Sequence, residues 1–274
     1  MNKRGWSMTD FRLVAIDLDG TLLRNDLQIS PRAKRAIRQV RELGVEVTLC
    51  TGRMYASALP YAREIGLELP LVTYNGALVK NTGTGQVIYQ RLLPEKYARE
   101  IIAKAKEYDL PVNVYHDDRL FVERITPEGR AYMEKSRIPV QEVGDLSRWL
   151  EQDPLKVLVM GEREKLDRLA EDWVREWGDA VYITKSWPTY LEFLHPEATK
   201  GLGLQALARH LHVEQEQVMG IGDSYNDLEM FKYAGFSVVM GNAEPAVKEA
   251  ADYVTLTNDD DGVAEALEKF IIGA

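Results

Sequence analysis

Leu13-Val14-Ala15-Ile16-Asp17-Leu18-Asp19-Gly20-Thr21 begins as an apolar run of strand-forming residues and ends on two aspartates and a glycine. The run has no polar alternation, so it reads as a strand buried on both faces, as in a parallel sheet. Outward from it, Ser30-Pro31 predicts a helix N-cap with proline at the first helical position. That helix should run to about Leu43 and stop at Gly44. Residues 45–50 (VEVTLC) predict the next strand, 54–65 a helix closed by Gly66, and 71–74 a third strand. This alternation argues for a parallel sheet wrapped by helices.

The rhythm changes near Asn81. Asn81-Thr82-Gly83-Thr84-Gly85 is a turn between two short β-like runs, and several strands beyond it follow one another without a helix. The alternation resumes after His195, with a helix over 200–210, strands over 218–221, 236–240 and 253–256, and a closing amphipathic helix over 263–270. The expected fold class is therefore α/β. A Rossmann-like parallel-sheet core, residues 1–82 and 195–274, is interrupted by an inserted α+β cap, residues 83–194. Both are ordinary domain sizes. Asp259-Asp260-Asp261 reads as a solvated cluster at the start of the last helix.

Composition excludes several classes. Of 274 residues, 45% are apolar and 28% charged, a globular balance. A net charge of −9 argues against nucleic acid as a partner. No apolar run approaches the roughly 20 residues of a membrane helix. Nothing implies a protein partner. Residues 1–11 carry Lys3 and Arg4 without an apolar stretch, so they read as a frayed leader rather than a secretory signal, and Met8 offers an alternative start. One cysteine, Cys50, makes neither an internal disulfide nor a cysteine-rich zinc site, so a cytoplasmic location is expected.

The chemistry-bearing residues fall at predicted strand ends, the ligand-binding edge of an open parallel sheet. Strand alternation would put Asp17 and Asp19 on one side. Two carboxylates so close need a cation, and Mg²⁺ prefers such oxygen ligands. Gly20 permits a tight turn. Residues 218–223 (VMGIGD) bring a second strand to Asp223, with Asn226 and Asp227 at the start of a helix. Either cluster alone reads as ordinary turn and cap aspartates; two in one parallel sheet argue for a shared metal site. Thr51-Gly52-Arg53 closes the second strand, where a hydroxyl and backbone N–H groups suit a phosphate oxygen as well as an N-cap. A cysteine-phosphatase reading of Cys50 fails because Ala56 stands where an arginine is needed. Lys200 opposes the dipole of the helix it opens, so propensity does not explain it. Gly201-Leu202-Gly203-Leu204-Gln205-Ala206 matches a dinucleotide fingerprint but does not follow a strand directly, so it reads as chance.

The ordered set D-x-D-G-T, T-G-R, K-G and G-D-x-x-N-D resembles the haloacid dehalogenase superfamily, in particular its Cof-type phosphatases. Asn75-Gly76-Ala77, Gly241-Asn242-Ala243 and the insertion between T-G-R and K-G are similar to that branch. The resemblance implies that Asp17 is the nucleophile, forming an aspartyl-phosphate. It implies that Asp19 is the general acid and then the base. Mg²⁺ would be held by the Asp17 carboxylate, the Asp19 carbonyl and the Asp223 carboxylate. Thr51, Lys200 and Asn226 would bind the phosphoryl group, Asp227 would support the lysine or the metal shell, and Arg53 and Asn75 would assist. The expected enzyme is a Mg²⁺-dependent phosphatase for a small phosphorylated metabolite, a sugar phosphate or a phosphorylated cofactor. A phosphomutase and a catalytically silent metal- and phosphate-binding regulator are the alternatives.

Overall fold

The computed structural model describes residues 11–125, 130 and 138–273; the stretch read as a leader lies outside them, apart from Phe11. The first strand, β1 (Leu13–Ile16), is fully buried. It lies between β2 (Glu46–Leu49) and a strand from the other end of the chain, Val218–Gly222, and both pairings are parallel. Alternate β1 side chains enter different apolar clusters. Val14 and Ile16 point to one face, Leu13 and Ala15 to the other. The helix Pro31–Glu42 covers the first face through Ala33, Ala36, Ile37 and Val40. It starts where predicted, with Ser30 Oγ accepting from Ala33 N at 3.0 Å.

β3 (Leu71–Thr73) continues the core through a bridge from Val72 to Cys50, then leads into an antiparallel meander with β4 (Leu78–Lys80) and β5 (Val87–Gln90). The expected domain boundary at 82/83 thus falls inside the β4–β5 turn. β5 pairs with β4 and packs on the helix Lys200–His210, so the chain leaves the core only after about Arg91. Arg91 Nε donates to Glu197 Oε2 at 2.6 Å, and Tyr89 Oη to the Glu197 carbonyl at 2.8 Å. The outgoing and returning chains are therefore joined side by side.

The inserted region forms one six-stranded sheet from β6 (Val112–His116), β7 (Arg119–Val122), β8 (Val140–Glu142), β9 (Lys156–Met160), β10 (Tyr182–Trp187) and β11 (Tyr190–Leu194). Its order is β10-β11-β9-β6-β7-β8, antiparallel except for β7 with β8. Helices Glu95–Glu107 and Arg163–Trp177 pack on one face, where Val157, Val159, Leu191 and Phe193 lie. Strand alternation sends Lys156, Leu158, Glu192 and Leu194 to the opposite face, which is buried against the core.

After Glu197 the core sheet is completed by β12 (Val218–Gly222), β13 (Phe236–Val239) and β14 (Tyr253–Val254), giving the parallel order β14-β13-β12-β1-β2. The α/β class holds. The acidic triplet differs from expectation. Asp261 pairs with Arg24 at 2.9 Å and Asp259 accepts from Asn25 N at 3.0 Å, so two of the three tie down the loop after Gly20. Among the described residues no helix is long and apolar enough to cross a membrane.

Candidate active site

The carboxyl ends of β1 and β12 are neighbours, and their aspartates meet there. β1 ends at Ile16, and Asp17 N still donates to Ile221 O at 2.9 Å. The chain then turns, with Leu22 N returning to Asp17 O and Leu23 N to Leu18 O. Asp19 therefore does not continue the strand, so a turn rather than strand alternation brings it to the cavity that Asp17 also lines. The carboxylates that converge are Asp17, Asp223 and Asp227, with a ligand oxygen of each within 4.8 Å of the others.

Lys200 Nζ lies 2.6 Å from both Asp17 Oδ1 and Asp227 Oδ1. Its side chain is wholly buried, which explains a cation at a helix start: partner carboxylates outweigh the dipole. Asp227 Oδ2 accepts from the N–H groups of Asp223 and Ser224, both at 3.0 Å. It thereby caps the short turn Tyr225–Asp227 before the helix Leu228–Tyr233. Asp223 Oδ1 accepts from Thr21 Oγ1 at 2.8 Å. Gly20 has φ +75°, and a Cβ there would strike Asp223. Asn242 Nδ2 holds the Gly20 carbonyl at 2.8 Å.

The Asp19 carboxylate faces Arg53 instead, with two contacts of 2.7 Å to Nε and Nη2. Thr51 is buried, and its Oγ1 accepts from Arg53 N at 3.1 Å. Tyr74, Asn75 and Gly76 all have positive φ, so the strand predicted over 71–74 stops at Thr73. Tyr74 N bonds Arg53 O, and Asn75 N bonds Thr51 O, which hold this uncommon backbone. The kink sets the Asn75 side chain above Gly52, where a Cβ would come within 2.7 Å of Asn75 Oδ1. Asn226 Nδ2 donates to the same oxygen at 2.9 Å. All eleven residues expected at the site are thus gathered at one sheet edge.

Electrostatics leave the cluster short of positive charge. Burial pushes the Asp17 carboxyl well above the usual range, with Lys200 opposing and Asp227 and Asp223 adding to the rise. Burial, then Asp227, pushes Asp223 up to about 7. Burial works against the Lys200 ammonium, but Asp17 and Asp227 outweigh it and hold its pKa above the ordinary value. A divalent cation fits this all-oxygen set. Asp227 has both oxygens engaged, so Asp17 and Asp223 are the carboxylates left to face it. A cavity of about 70 Å³ lies here, lined by Asp17, Asp19, Thr51 and Asn226 from the core and by Lys156 and Glu192 from the inserted sheet. It borders a cleft of about 640 Å³ that shares Asp19, Ser186, Trp187 and Ser224.

A family model described as haloacid dehalogenase-like hydrolase matches residues 14–267. The chain belongs to this family. The HMP-PP phosphatase of Serratia proteamaculans (strain 568) is 32% identical over 87% of this chain and 86% of its own length. The 5-amino-6-(5-phospho-D-ribitylamino)uracil phosphatase YitU of Bacillus subtilis (strain 168) is 30% identical, covering 94% of this chain and 97% of that protein. The crystal structure of TM0651 from Thermotoga maritima is similar with a TM-score of 0.80 and 35% identity, over 94% of this chain and 97% of that one. This haloacid dehalogenase-like hydrolase is an enzyme of the phosphatase class.

For this hydrolase the dinucleotide fingerprint has a packing explanation. A Cβ at Gly201 would strike Glu229 O, and one at Gly203 would approach Val72 and Gly76, so both glycines let the Lys200–His210 helix sit close to its neighbours. Sequence reasoning missed Lys156 and Glu192. Their only signal was a charge within each of two otherwise apolar strands, KVLVM and YLEFL.

Proposed function

We propose that this hydrolase is a Mg²⁺-dependent phosphomonoesterase for a small phosphorylated metabolite, working through an aspartyl-phosphate on Asp17. The buried Lys200 bridge between Asp17 and Asp227, beside Asp223, carries the reading. It presents one carboxylate oxygen with a fixed ammonium beside it, which is what a carboxylate needs to approach an anionic phosphoryl group. The Asp17 and Asp223 carboxylates, with the Asp19 carbonyl, would hold Mg²⁺, which supplies further charge neutralisation when bound.

An Asp17 oxygen attacks phosphorus as the bond to the leaving oxygen breaks. Asp19, released from Arg53 as the phosphoryl group competes for the guanidinium, takes up a proton from solvent and passes it to that oxygen. The same carboxylate then takes a proton from water, which attacks the phosphorus and frees Asp17. Thr51 and Asn226 orient the non-bridging oxygens. The small cavity matches a phosphoryl group, and the adjoining cleft has room for a metabolite-sized leaving group. A sugar phosphate or a phosphorylated cofactor fits that space, and two relatives are named as phosphatases of 5-amino-6-(5-phospho-D-ribitylamino)uracil and of HMP-PP.

Hydrolysis of p-nitrophenyl phosphate, with acid-quench trapping of labelled phosphoenzyme, tests this reading. Label on the peptide containing Asp17 is expected. Turnover without any label there, or full turnover in excess EDTA, would overturn it. A screen of phosphorylated metabolites would then identify the substrate.

A further inference from the structure

The face of the inserted sheet that is buried against the core carries an ion pair. Lys156 Nζ lies 3.3 Å from Glu192 Oε1, and each side chain is only 3% exposed. Burying two charges is costly, and an apolar pair of similar volume is commonly as stable or more so. What these two charges touch across the gap explains them. Lys156 Nζ donates to the Gly52 carbonyl at 2.9 Å and rests over the Tyr115 ring, 4.9 Å from its centre. Glu192 Oε1 accepts from Ser186 Oγ at 2.6 Å, and its Oε2 accepts from Asn75 Nδ2.

Each contact starts a relay with a direction. An ionised carboxylate can only accept, so Asn75 must turn its NH₂ to Glu192. Its Oδ1 then faces Asn226, which must answer with Nδ2, at 2.9 Å. Asn226 Oδ1 is left to accept from Ser224 Oγ, at 2.7 Å. The donor end of Asn226 is thus held on the side of the small cavity that meets Gly52. An ammonium, conversely, can only donate. It fixes the carbonyl of the Gly52–Arg53 peptide, whose N–H donates to Thr51 Oγ1. With that lone pair used, the Thr51 hydroxyl has its hydrogen to give. We propose that the buried Lys156–Glu192 pair sets the donor polarity of Asn226 toward the phosphoryl oxygens, while Lys156 holds in place the Gly52–Arg53 peptide on which the Thr51 hydroxyl rests. Both charged residues line the same small cavity and act as positioning residues, through Gly52 and Asn75. With the pair neutralised, either amide can flip and present an oxygen lone pair to an anion.

The inference rests on the phosphatase reading and can fail separately from it. Inorganic phosphate is titrated calorimetrically into the full chain with Mg²⁺ present, alongside p-nitrophenyl phosphate kinetics. Glu192→Gln keeps the shape but accepts either polarity. Lys156→Met combined with Glu192→Gln does the same without stranding a lone buried charge, so it serves if the single variant misfolds. Both should weaken phosphate binding by about tenfold or more and raise KM by a larger factor than they lower kcat. Adding Asn75→Asp to Glu192→Gln restores an acceptor-only link, so Asn226 must again donate and affinity should recover toward that of the unsubstituted chain. An active enzyme whose double-neutral variant binds phosphate within about twofold of the original would overturn the relay but not the phosphatase reading. Failure of Asn75→Asp to recover affinity would also overturn it, since the loss would then come from packing. An unsubstituted chain that neither binds nor releases phosphate would overturn the phosphatase reading first.

Discussion

Among the described residues the core and the inserted sheet each bury one lysine beside the active site, and the two lysines work differently. Lys200 ends in carboxylates that would otherwise repel one another, and it neutralises them directly. Lys156 ends in one carboxylate and one peptide carbonyl, and it neutralises little that the chemistry uses. In the core, β1 and β12 are apolar throughout and polar chemistry starts only where they end. In the inserted sheet, charge sits at the start of β9 and in the middle of β11, on the face pressed against the core. A group at a strand end can reach a substrate.

Substitutions can break this contrast, beginning with the most damaging. Asp17→Asn should abolish turnover and phosphoenzyme while the chain stays folded, as read by hydrolysis, trapping and circular dichroism. Removing Mg²⁺ should come next, with turnover falling to background in EDTA and returning on repletion. It should also be visible in stability. Burial raises the folded pKa of Asp17 and of Asp223, the latter to about 7. Their neutral forms favour the folded state at low pH, and that contribution drains away as pH rises through about 7. Mg²⁺ offsets the loss, so its effect on melting temperature should be larger at about pH 8 than at about pH 5. Equal shifts at both would argue against these carboxylates as ligands. Asp19→Asn should lower kcat by roughly 10²–10⁴-fold, the range for acid–base catalysis, without weakening Mg²⁺ binding.

In the inserted sheet the effects pass to stability. Lys156→Met leaves Glu192 charged and buried, which should cost about 3–5 kcal/mol in denaturant unfolding. The surface pair Lys104–Glu176 provides the lower end. Both side chains are substantially exposed, so Lys104→Ala should cost at most about 1 kcal/mol. A comparable loss in the two would mean that the Lys156 pair is not electrostatically buried.

The core was legible because its signals are local. The run into Asp17, the cap at Ser30-Pro31 and the helix over 200–210 are each decided within a few residues. The meeting of two strand-end clusters followed from parallel pairing alone. What escaped depends on distant partners. The Asp19 carboxylate is held by Arg53, thirty-four positions on, which offers it a fork of donors. Asp227 is expected beside the lysine from the family resemblance alone, and Lys200 does reach both it and Asp17. β5 stays with the core because β4 and the Lys200–His210 helix are there to receive it. Lys156 and Glu192 carried no motif, since their meaning lies in Gly52 and Asn75, more than a hundred residues away.

The Arg91–Glu197 contact has a consequence for ancestry as well as for shape. A long intervening segment leaves the core just after β5 and returns to it beside that point. Recombination at that point could exchange the whole passenger without disturbing any strand of its host. A transplanted passenger would still need to bring an ammonium to the Gly52 carbonyl and a carboxylate to Asn75. Heredity can therefore vary everything between those two crossings except the charges that the host's own pocket must meet.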